Sequence, residues 1–599
     1  FKKTKLAAVS AAILGSVAMQ NASAVSFDVA GTSGQVLIFP YYNVNNGYQT
    51  SFNIRNTKDE FKAVKLRFRE SGNSNDVLDF NVYMSPYDVF TVTLARSNGG
   101  DNPDETDTVL LTTQDTTCTF PAIPEEGVKF ITDIYPNTGP RDAREGYLEV
   151  LEMGVIEYDS TIQGMNPVVI ANLQDGIEHV TKLNDEGETI VEPKDCSVIG
   201  QAWNMANNLG FTQGGAVADH NWVAQNNQIN FPFAPSIASP TTTGDGFYST
   251  EVLGGGKELK AGEQPGGATT NVDGIANNLI PPTGGIEGIS ILLGITHGAA
   301  WIGEAQVVAH WTDTPQHYLS DDIHFYLLPS LASGSSEDPA VNPGAPQRAR
   351  TADFLLDNGQ AQNNTWTYTN FDWGWVNGAT FDGADVPSGV NPMPISNVLA
   401  ATEVNNEYFI NPDFMAATDW VITFPMKKYG IFTESTAITI QSRFWDREEQ
   451  EATPADAGFS PPRPGETQIL EREANVIEFI AVGNDPDDLL GSNFPNIFEL
   501  DEGFDEGWAN FKFQLNAVSP YDLASLQGLQ FNDIIGQLQV WLPASQPGVG
   551  GFTKGVPALG FAAIRSKLGD GSGRNVGETF DHAWTRRSEE RRVGKECRS

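Results

Sequence analysis

The sequence predicts a mainly β protein, built from two or more antiparallel β-sandwich domains of immunoglobulin-like type with long loops and a few short helices. Two observations predict this fold class. Apolar and polar side chains alternate in short runs along most of the chain, and a period of two is typical of strands with one buried face. Segments rich in Gly, Asn, Asp and Pro separate the runs, and these residues favour turns. Many short strands joined by such turns are typical of sandwiches.

The stretch 35–94 shows the alternation most plainly. In one run, three apolar side chains interleave with three basic ones: Val64, Leu66 and Phe68 with Lys65, Arg67 and Arg69. Runs of the same kind occupy 52–54, 78–82 and 90–94. We therefore expect successive antiparallel strands, each with one buried face.

Further strands are predicted at 109–112, 144–152, 289–295, 305–310, 323–328, 476–482, 509–515, 538–542 and 561–565. The segments 420–424 and 437–445 are predicted to pair as a hairpin. The apolar segment 168–173 is expected to pack beside the strand at 144–152. Asp195 is a candidate cap for a short helix that runs to Asn208, and residues 519–527 suggest a connecting helix.

The chain divides into five predicted regions. Residues 1–24 read as a secretory signal, because three lysines precede a short apolar stretch that ends in Ala22-Ser23-Ala24. Residues 25–235 form an N-terminal β-sandwich domain, and 236–285 form a Gly/Ser/Thr/Pro-rich linker or surface excursion. Residues 286–586 form a C-terminal β-rich region with room for a second sandwich carrying insertions. Residues 587–599 resemble a translated sequencing adapter and are set aside as an artefact.

The charge balance excludes one class of partner. Formal net charge is −40, and it becomes −45 when the three net positive charges of the signal and the two of residues 587–599 are removed. Such a chain repels DNA and RNA, so nucleic-acid binding is not expected. No stretch beyond the signal approaches the roughly 20 apolar residues of a membrane helix. We expect an exported protein at the cell surface or in the extracellular medium, with the periplasm as the alternative.

Two cysteines remain once Cys597 in the adapter-like tail is set aside. Cys118 and Cys196 are predicted to form a disulfide, because an even count in an exported chain favours pairing in an oxidising compartment. Two buried free thiols are the alternative. No zinc-type spacing such as C-x-x-C occurs.

The histidines and the acidic loops contain the residue types that bind metal ions. His310, His317 and His324 recur every seven residues, whereas zinc ligands usually come at shorter spacing, so no metal site is predicted there. Acidic loops offer oxygen ligands that suit Ca²⁺, although none has the EF-hand spacing. Ca²⁺ is therefore the one candidate cofactor, and solvated turn carboxylates are the alternative. The acidic loops contain Asp101, Asp104 and Asp107; Asp485, Asp487 and Asp488; and Asp501, Glu502, Asp505 and Glu506.

Enzymatic activity has no support in the sequence, and none is predicted. Carboxylate pairs such as Glu149 with Glu152, or Glu448 with Glu449, arise by chance in a chain with 76 acids. No G-x-S-x-G, H-E-x-x-H or phosphate-binding motif occurs. An aromatic patch suits either packing within a strand or stacking on sugars. Its members are Trp366, Tyr368, Phe371, Trp373 and Trp375.

Four strings resemble those of a set of exported, surface-associated, β-rich bacterial proteins of uncharacterised function. They are GQVLIFPYY at 34–42, REGY at 144–147, TDWVITFP at 418–425 and FWDREE at 444–449. The resemblance implies export and a β-rich architecture, and it supplies no catalytic residues.

Three functions remain open. The first is a secreted, acidic, non-enzymatic surface or extracellular-matrix protein with a structural or adhesive role, whose partners are other surface proteins, itself or envelope glycans. The second is a glycan-binding or glycan-degrading module that uses the aromatic patch and nearby acids. The third is an outer-membrane β-barrel, because lipid-facing and lumen-facing residues also alternate with a period of two.

Overall fold

The fold is given by a computed structural model. The structure describes residues 26–28, 33–98, 107–132, 139–161, 165–183, 187–202, 279–294, 298–312, 315, 317, 331, 399–425, 438–452, 467–484, 489–501, 503–514, 556–567 and 575–586. The predicted signal at 1–24 and the adapter-like segment 587–599 lie outside these residues. So do the strands predicted at 323–328 and 538–542 and the helix predicted at 519–527.

The described part of the chain up to residue 312 contains fifteen strands and three short helices. The strands are β1 (Ser26–Asp28), β2 (Val36–Asn43), β3 (Tyr48–Asn56), β4 (Lys62–Glu70), β5 (Asp76–Met84), β6 (Val89–Arg96), β7 (Val109–Thr112), β8 (Cys118–Phe120), β9 (Val128–Lys129), β10 (Glu145–Val155), β11 (His179–Leu183), β12 (Thr189–Pro193), β13 (Ile286–Gly294), β14 (Ala299–Glu304) and β15 (Gln306–Ala309). The helices are α1 (Pro140–Ala143), α2 (Pro167–Ile177) and α3 (Ser197–Ala202).

The described residues from 399 onward contain eleven strands and one 3₁₀ helix (Pro412–Phe414). The strands are β16 (Ala400–Phe409), β17 (Ala417–Thr423), β18 (Ile438–Asp446), β19 (Thr467–Leu470), β20 (Ala474–Ala481), β21 (Asn496–Leu500), β22 (Glu506–Gln514), β23 (Val556–Pro557), β24 (Leu559–Lys567), β25 (Asn575–Asp581) and β26 (Ala583–Arg586). Strands β20 and β21 pair in parallel, and the other described pairings between strands are antiparallel.

Two sheets form the first sandwich. Sheet I has the strand order β1-β15-β2-β10-β4-β5-β8, and sheet II has the order β14-β13-β3-β6-β7-β9. Alternate side chains of both sheets meet in one apolar core, which includes Phe39, Phe52, Phe68 and Phe80. Edge-on ring contacts such as Phe39 with Phe52, whose centroids lie 5.0 Å apart, fill the space between the sheets. The predicted all-β, sandwich-like fold class is confirmed.

The two sandwiches do not divide where the sequence suggested. Residues 286–309 were assigned to the C-terminal region, but β13 pairs with β3 and β15 pairs with β2. The end of the predicted linker also belongs to the first sandwich, since Ile280 bridges to Val155. Alternation shows that a strand has a buried face, but it does not show which strand it pairs with. The pairing of β13 and β15 with strands of the first sandwich could therefore not be predicted from sequence. The remainder of the 236–285 linker lies outside the described residues.

Strand β4 departs from the one-buried-face prediction. All nine of its residues are buried, including the basic side chains that alternate with the apolar ones. Lys65 pairs with Asp79 at 3.1 Å, and Arg69 Nε donates to Glu149 Oε1 at 2.6 Å. Ion pairs to the neighbouring strands β5 and β10 thus replace water around these charges. The pattern predicted the position of the strand correctly. Its prediction that the polar face is exposed to solvent is wrong.

Two further sheets form the second sandwich. Sheet III has the order β19-β18-β22-β16-β23, with β26 also paired to β16, and sheet IV has the order β21-β20-β17-β24-β25. Their inner faces share an aromatic core in which Trp420 contacts Phe511, with ring centroids 4.8 Å apart. Phe444, Phe479 and Phe498 complete this ring cluster.

The predicted hairpin of 420–424 with 437–445 is wrong. Strand β17 pairs with β20 and β24 in sheet IV, whereas β18 pairs with β19 and β22 in sheet III. Trp420 and Phe444 therefore face the same core from opposite sheets. Two apolar strands that are close in sequence can form either a hairpin or a crossover between sheets. The sequence pattern is the same in both cases, so it could not distinguish them.

A small helical layer packs beside sheet I. The apolar segment predicted to pack next to the strand at 144–152 forms the helix α2, whose Ile170 and Leu173 are buried. Asn166 caps this helix by accepting from the backbone N–H groups of Val168 and Val169. The disulfide between Cys118 and Cys196 is present and links β8 to the turn before α3. The helix predicted from Asp195 is observed as α3 over Ser197–Ala202, and residues 203–208 lie outside the described part of the chain.

Sheet I is covered on both faces, because its second face packs on sheet IV. Val36 and Ile38 of β2 join the same apolar cluster as Trp420 and Ile422 of β17. Thr423 Oγ1 also donates to the carbonyl of Pro40 at 2.6 Å. The two sandwiches thus share a closely packed junction, and sheet III lies at the far side of the second sandwich from it.

Candidate binding face

The outward side chains of sheet III form the candidate site, which we call the C-terminal outer face. It comprises Glu403, Asn405 and Glu407 of β16, Gln441, Arg443 and Trp445 of β18, and Trp508, Asn510 and Lys512 of β22. The alternation of each strand places them there, since Val404, Phe444 and Phe511 point into the core. One side of this sheet is therefore apolar and buried, and the other presents aromatic, amide and charged groups.

Two indoles lie at the centre of this face. Trp445 of β18 stands directly opposite Trp508 of β22 in the strand register. Their rings stack with centroids 3.9 Å apart and planes 10° from parallel. Trp508 is 40% exposed, so part of its indole reaches solvent.

A guanidinium group also packs on the Trp445 ring. Arg443 places its guanidinium carbon 4.7 Å from the centre of the Trp445 ring, within the range of a cation–π interaction. Glu451 holds this guanidinium through two hydrogen bonds of 2.6 and 2.7 Å. Hydrogen bonding to Arg443 lowers the pKa of Glu451. Glu451 thus fixes the guanidinium that packs on Trp445, and Trp445 in turn stacks on Trp508.

Gly507 explains why the strands approach closely beside the indoles. A Cβ atom at this position would collide with the carbonyl group of Trp445 on the paired strand. Tyr408 on the other neighbouring strand donates its hydroxyl to the same carbonyl at 3.2 Å. A glycine before Trp508 therefore lets β22 lie between β16 and β18 without displacing either strand.

Polar side chains continue the face along the strands. Asn510 Nδ2 donates to Asn405 Oδ1 at 2.7 Å and to Glu403 Oε2 at 3.2 Å. Thr585 Oγ1 donates to the other oxygen of Glu403 at 3.0 Å. These groups are held by one another, whereas Lys512 and Glu407 are exposed at the surface. The face thus combines a hydrogen-bonded polar row with two exposed charged side chains.

The aromatic patch that the sequence nominated for sugar stacking lies outside the described residues. This applies to Trp366, Tyr368, Phe371, Trp373 and Trp375. The pair Trp445 and Trp508 was not nominated. A signal existed, because the string at 444–449 contains Trp445 and the alternation at 509–515 points Asn510 and Lys512 outward. What the sequence lacked was the pairing of two strands some sixty residues apart.

The nominated carboxylate pair Glu149 and Glu152 does not converge on a cleft. Glu149 accepts from Arg69, and Glu152 accepts from Lys62 Nζ at 2.7 Å. Both carboxyl groups are fully buried in ion pairs. The other pair, Glu448 and Glu449, is exposed in the turn that follows β18.

The histidines and acidic loops are not brought together either. His317 is buried, with its Nε2 2.8 Å from the hydroxyl of Tyr83, and His310 is exposed, while His324 lies outside the described residues. Asp107 binds Arg96 and Ser97. Asp101, Asp104, Asp485, Asp487, Asp488 and Glu502 lie outside the described residues. Across the described part of the chain, no group of three or more His, Cys, Asp or Glu side chains is placed to hold a metal ion.

His179 contacts a serine and an aspartate, the residue types that flank the general base in a Ser-His-Asp triad. Ser85 Oγ lies 3.2 Å and Asp88 Oδ2 3.8 Å from it, but both approach the same ring nitrogen, Nδ1. A relay of the Ser-His-Asp type needs the serine and the carboxylate on different nitrogens. This group therefore anchors the β11–β12 hairpin to the turn before β6.

Among the described residues, no helix is long and apolar enough to cross a membrane. Comparison of this chain with protein families, with curated proteins and with solved structures finds no match.

Proposed function

We propose that this is a secreted, acidic, non-enzymatic surface or extracellular-matrix protein with an adhesive role, and that the C-terminal outer face makes the adhesive contact. One observation carries the proposal: a stacked indole pair stands on the solvent side of sheet III, with exposed charged side chains beside it. Aromatic and arginine side chains are enriched where proteins bind partners.

The arrangement of the indoles supports a binding role beyond their exposure. A recognition surface binds more tightly when its side chains are immobile before the partner arrives, because less conformational entropy is lost. Arg443 and Trp445 hold the ring of Trp508 in place in the free protein. The polar row of Asn405, Asn510 and Glu403 is likewise held by its own hydrogen bonds.

The ion pairing of two buried carboxylates supports a non-enzymatic role. The sequence suggested Glu149 and Glu152 as acid–base candidates. In the structure, both carboxylates form ion pairs with buried cationic side chains inside the first sandwich. Their positions serve the fold. The export signal, the acidity and the resemblance to surface-associated proteins are consistent with a protein that works outside the cell.

The test is a cell-binding assay with the purified protein. We expect it to bind intact cells or isolated envelope of the organism that exports it, and we expect Trp508→Ala to reduce that binding at least five-fold. Tyr158→Ala is the matched control, because Tyr158 is 45% exposed on the first sandwich. Failure of the unmodified protein to bind cells or envelope, with or without Ca²⁺, would remove the adhesive role.

A further inference from the structure

Trp508 lies between two cross-strand neighbours on the C-terminal outer face. The register places Trp445 opposite Trp508 on one side and Glu407 opposite it on the other. Trp445 covers one face of the Trp508 indole, and no other ring among the described residues stacks on it. A flat aromatic surface and an exposed carboxylate therefore border the same space above β16.

We propose that Trp508 and Glu407 form a binding site for a neutral hexopyranose ring of a glycan. This inference rests on the proposed adhesive function and names its ligand class. A pyranose has an apolar face of C–H groups that packs on an indole, and hydroxyl groups around its edge that need hydrogen-bond partners. Trp508 supplies the first surface, and Glu407 supplies an acceptor beside it.

Glu407 is placed to act as that acceptor. Its backbone is fixed, because its carbonyl accepts from Trp420 Nε1 at 3.1 Å and its N–H donates to Asn406 Oδ1 at 2.8 Å. Its side chain is exposed, and no hydrogen bond or ion pair of its carboxylate is found among the described residues. Hydrogen bonds from hydroxyl groups to an ionised carboxylate are stronger than those between neutral groups.

Charge selects a neutral glycan over an anionic one. The outer face carries the cations Arg443 and Lys512 and the carboxylates Glu403 and Glu407. The turn after β18 adds one cation, Arg447, and three carboxylates, Glu448, Glu449 and Glu451. Arg443 is already neutralised by Glu451. The whole chain also carries a net charge of −40, so it repels an anionic polysaccharide at long range. Few cationic side chains at the site could offset that repulsion.

A purely structural role for the indole pair predicts a different result. Cross-strand aromatic pairs stabilise sheets, and this alone could account for a Trp445–Trp508 stack. Packing needs neither a carboxylate at position 407 nor an exposed ring face. Loss of glycan affinity in a Glu407 variant of normal stability separates the two roles.

The experiment is calorimetric titration of the full chain with soluble oligosaccharides. Neutral oligosaccharides of glucose, galactose and mannose and anionic oligosaccharides of uronic acids are the probes. We expect at least one neutral oligosaccharide to bind saturably. Trp508→Ala and Glu407→Ala should each weaken it roughly ten-fold, Trp508→Phe should weaken it less, and Tyr158→Ala should leave it unchanged. Unfolding curves of each variant show whether it is folded.

Several outcomes would overturn the inference. These are absence of saturable binding to every neutral oligosaccharide, tighter binding of uronic-acid oligosaccharides, and unchanged affinity in folded Trp508→Ala or Glu407→Ala protein. If Trp508→Ala abolishes cell binding but protease treatment of the cells does the same and oligosaccharides do not compete, the adhesive function stands with a protein partner and the glycan site is refuted. If oligosaccharides bind but cells do not, the site stands and the adhesive function is refuted.

Discussion

The side-chain amide of Asn43 on β2 donates hydrogen bonds to the backbone of the loop that contains Gly491, on the second sandwich. Its Nδ2 lies 2.7 Å from the carbonyl of Leu490 and 2.8 Å from that of Gly491. Its Oδ1 accepts from Asn45. One buried amide on β2 thus binds two carbonyls that lie 447 and 448 residues away in sequence.

We predict that Asn43→Ala lowers the free energy of unfolding by about 2–4 kcal/mol. The Leu490 carbonyl loses this donor and Asn45 loses its acceptor, while the Gly491 carbonyl keeps the 3.3 Å bond from Asn46 Nδ2. Asn53→Ala is the control, since Asn53 makes a single part-buried bond of 3.3 Å to Thr91, and it should cost about 1 kcal/mol or less. Urea unfolding measures both. Equal costs for the two variants would show that the junction bond does not stabilise the fold.

The neighbouring Gly491 gives a second prediction. Its φ is +70°, and a Cβ atom there would lie 2.5 Å from the ring of Tyr48. Gly491→Ala should therefore destabilise by about 3 kcal/mol or more, through both backbone strain and the clash. Gly187 has a φ of +81° with nothing within 4 Å, so Gly187→Ala should cost about 1 kcal/mol. Similar melting temperatures for the two variants would contradict this account of the junction.

Sequence patterns predicted the strands well, because a period of two survives in each strand whatever it pairs with. Val64, Leu66 and Phe68 do face an apolar core, and Phe511 and Phe513 do as well. The pattern failed where the polar face meets other protein. Lys65 alternates with apolar residues as a surface lysine would, yet Asp79 and its neighbours bury it. Burial of charge depends on partners from other strands, which one strand's pattern does not contain.

The candidate face was predictable only in part. The alternation at 509–515 points Asn510 and Lys512 away from the core, and the structure places them there. Trp445 and Trp508 become a pair only through the register of β18 with β22. Register over such a separation is set by the whole sheet, so the stack could not be read from either strand alone.

The buried pair of Lys62 and Glu152 gives a third prediction. Lys62 Nζ lies 2.7 Å from Glu152 Oε1, and both side chains are fully buried. Lys62→Met should cost about 3–5 kcal/mol, because it leaves a buried carboxylate without its counter-charge. Lys182→Met is the control, since its pair with Glu192 is partly exposed, and it should cost about 1 kcal/mol or less. A cost below about 1 kcal/mol at Lys62, measured by denaturant unfolding, would show that this charge pair adds no stability.

His582 predicts how stability depends on pH. It lies between Trp420 and Trp584, its Nε2 is 3.0 Å from the Val421 carbonyl, and burial lowers its pKa to about 3. The unfolded chain takes up a proton below pH 6.5, whereas the folded chain does so only near pH 3. This residue should therefore remove stability as pH falls from 6.5 to 3, by at most about 5 kcal/mol.

Comparison of variants isolates that effect from other titrating groups. His582→Gln should be less stable than the unmodified protein at pH 7, and the difference should shrink toward pH 4. His310→Asn is the control for loss of a histidine, because His310 is exposed and its φ of +56° suits asparagine. Urea unfolding at pH 7, 5.5 and 4 gives the slopes. Parallel curves for the unmodified protein and His582→Gln would rule out the buried neutral imidazole.

Hydroxyl-radical footprinting of the protein, free and bound to cell envelope, tests the adhesive contact most directly. Trp508 and Tyr158 are similarly exposed in the free protein, so both should be oxidised at measurable rates. We predict that binding protects Trp508 at least three-fold and leaves Tyr158 unchanged. Protection of Tyr158 with continued oxidation of Trp508 would place the contact on the first sandwich and contradict the account.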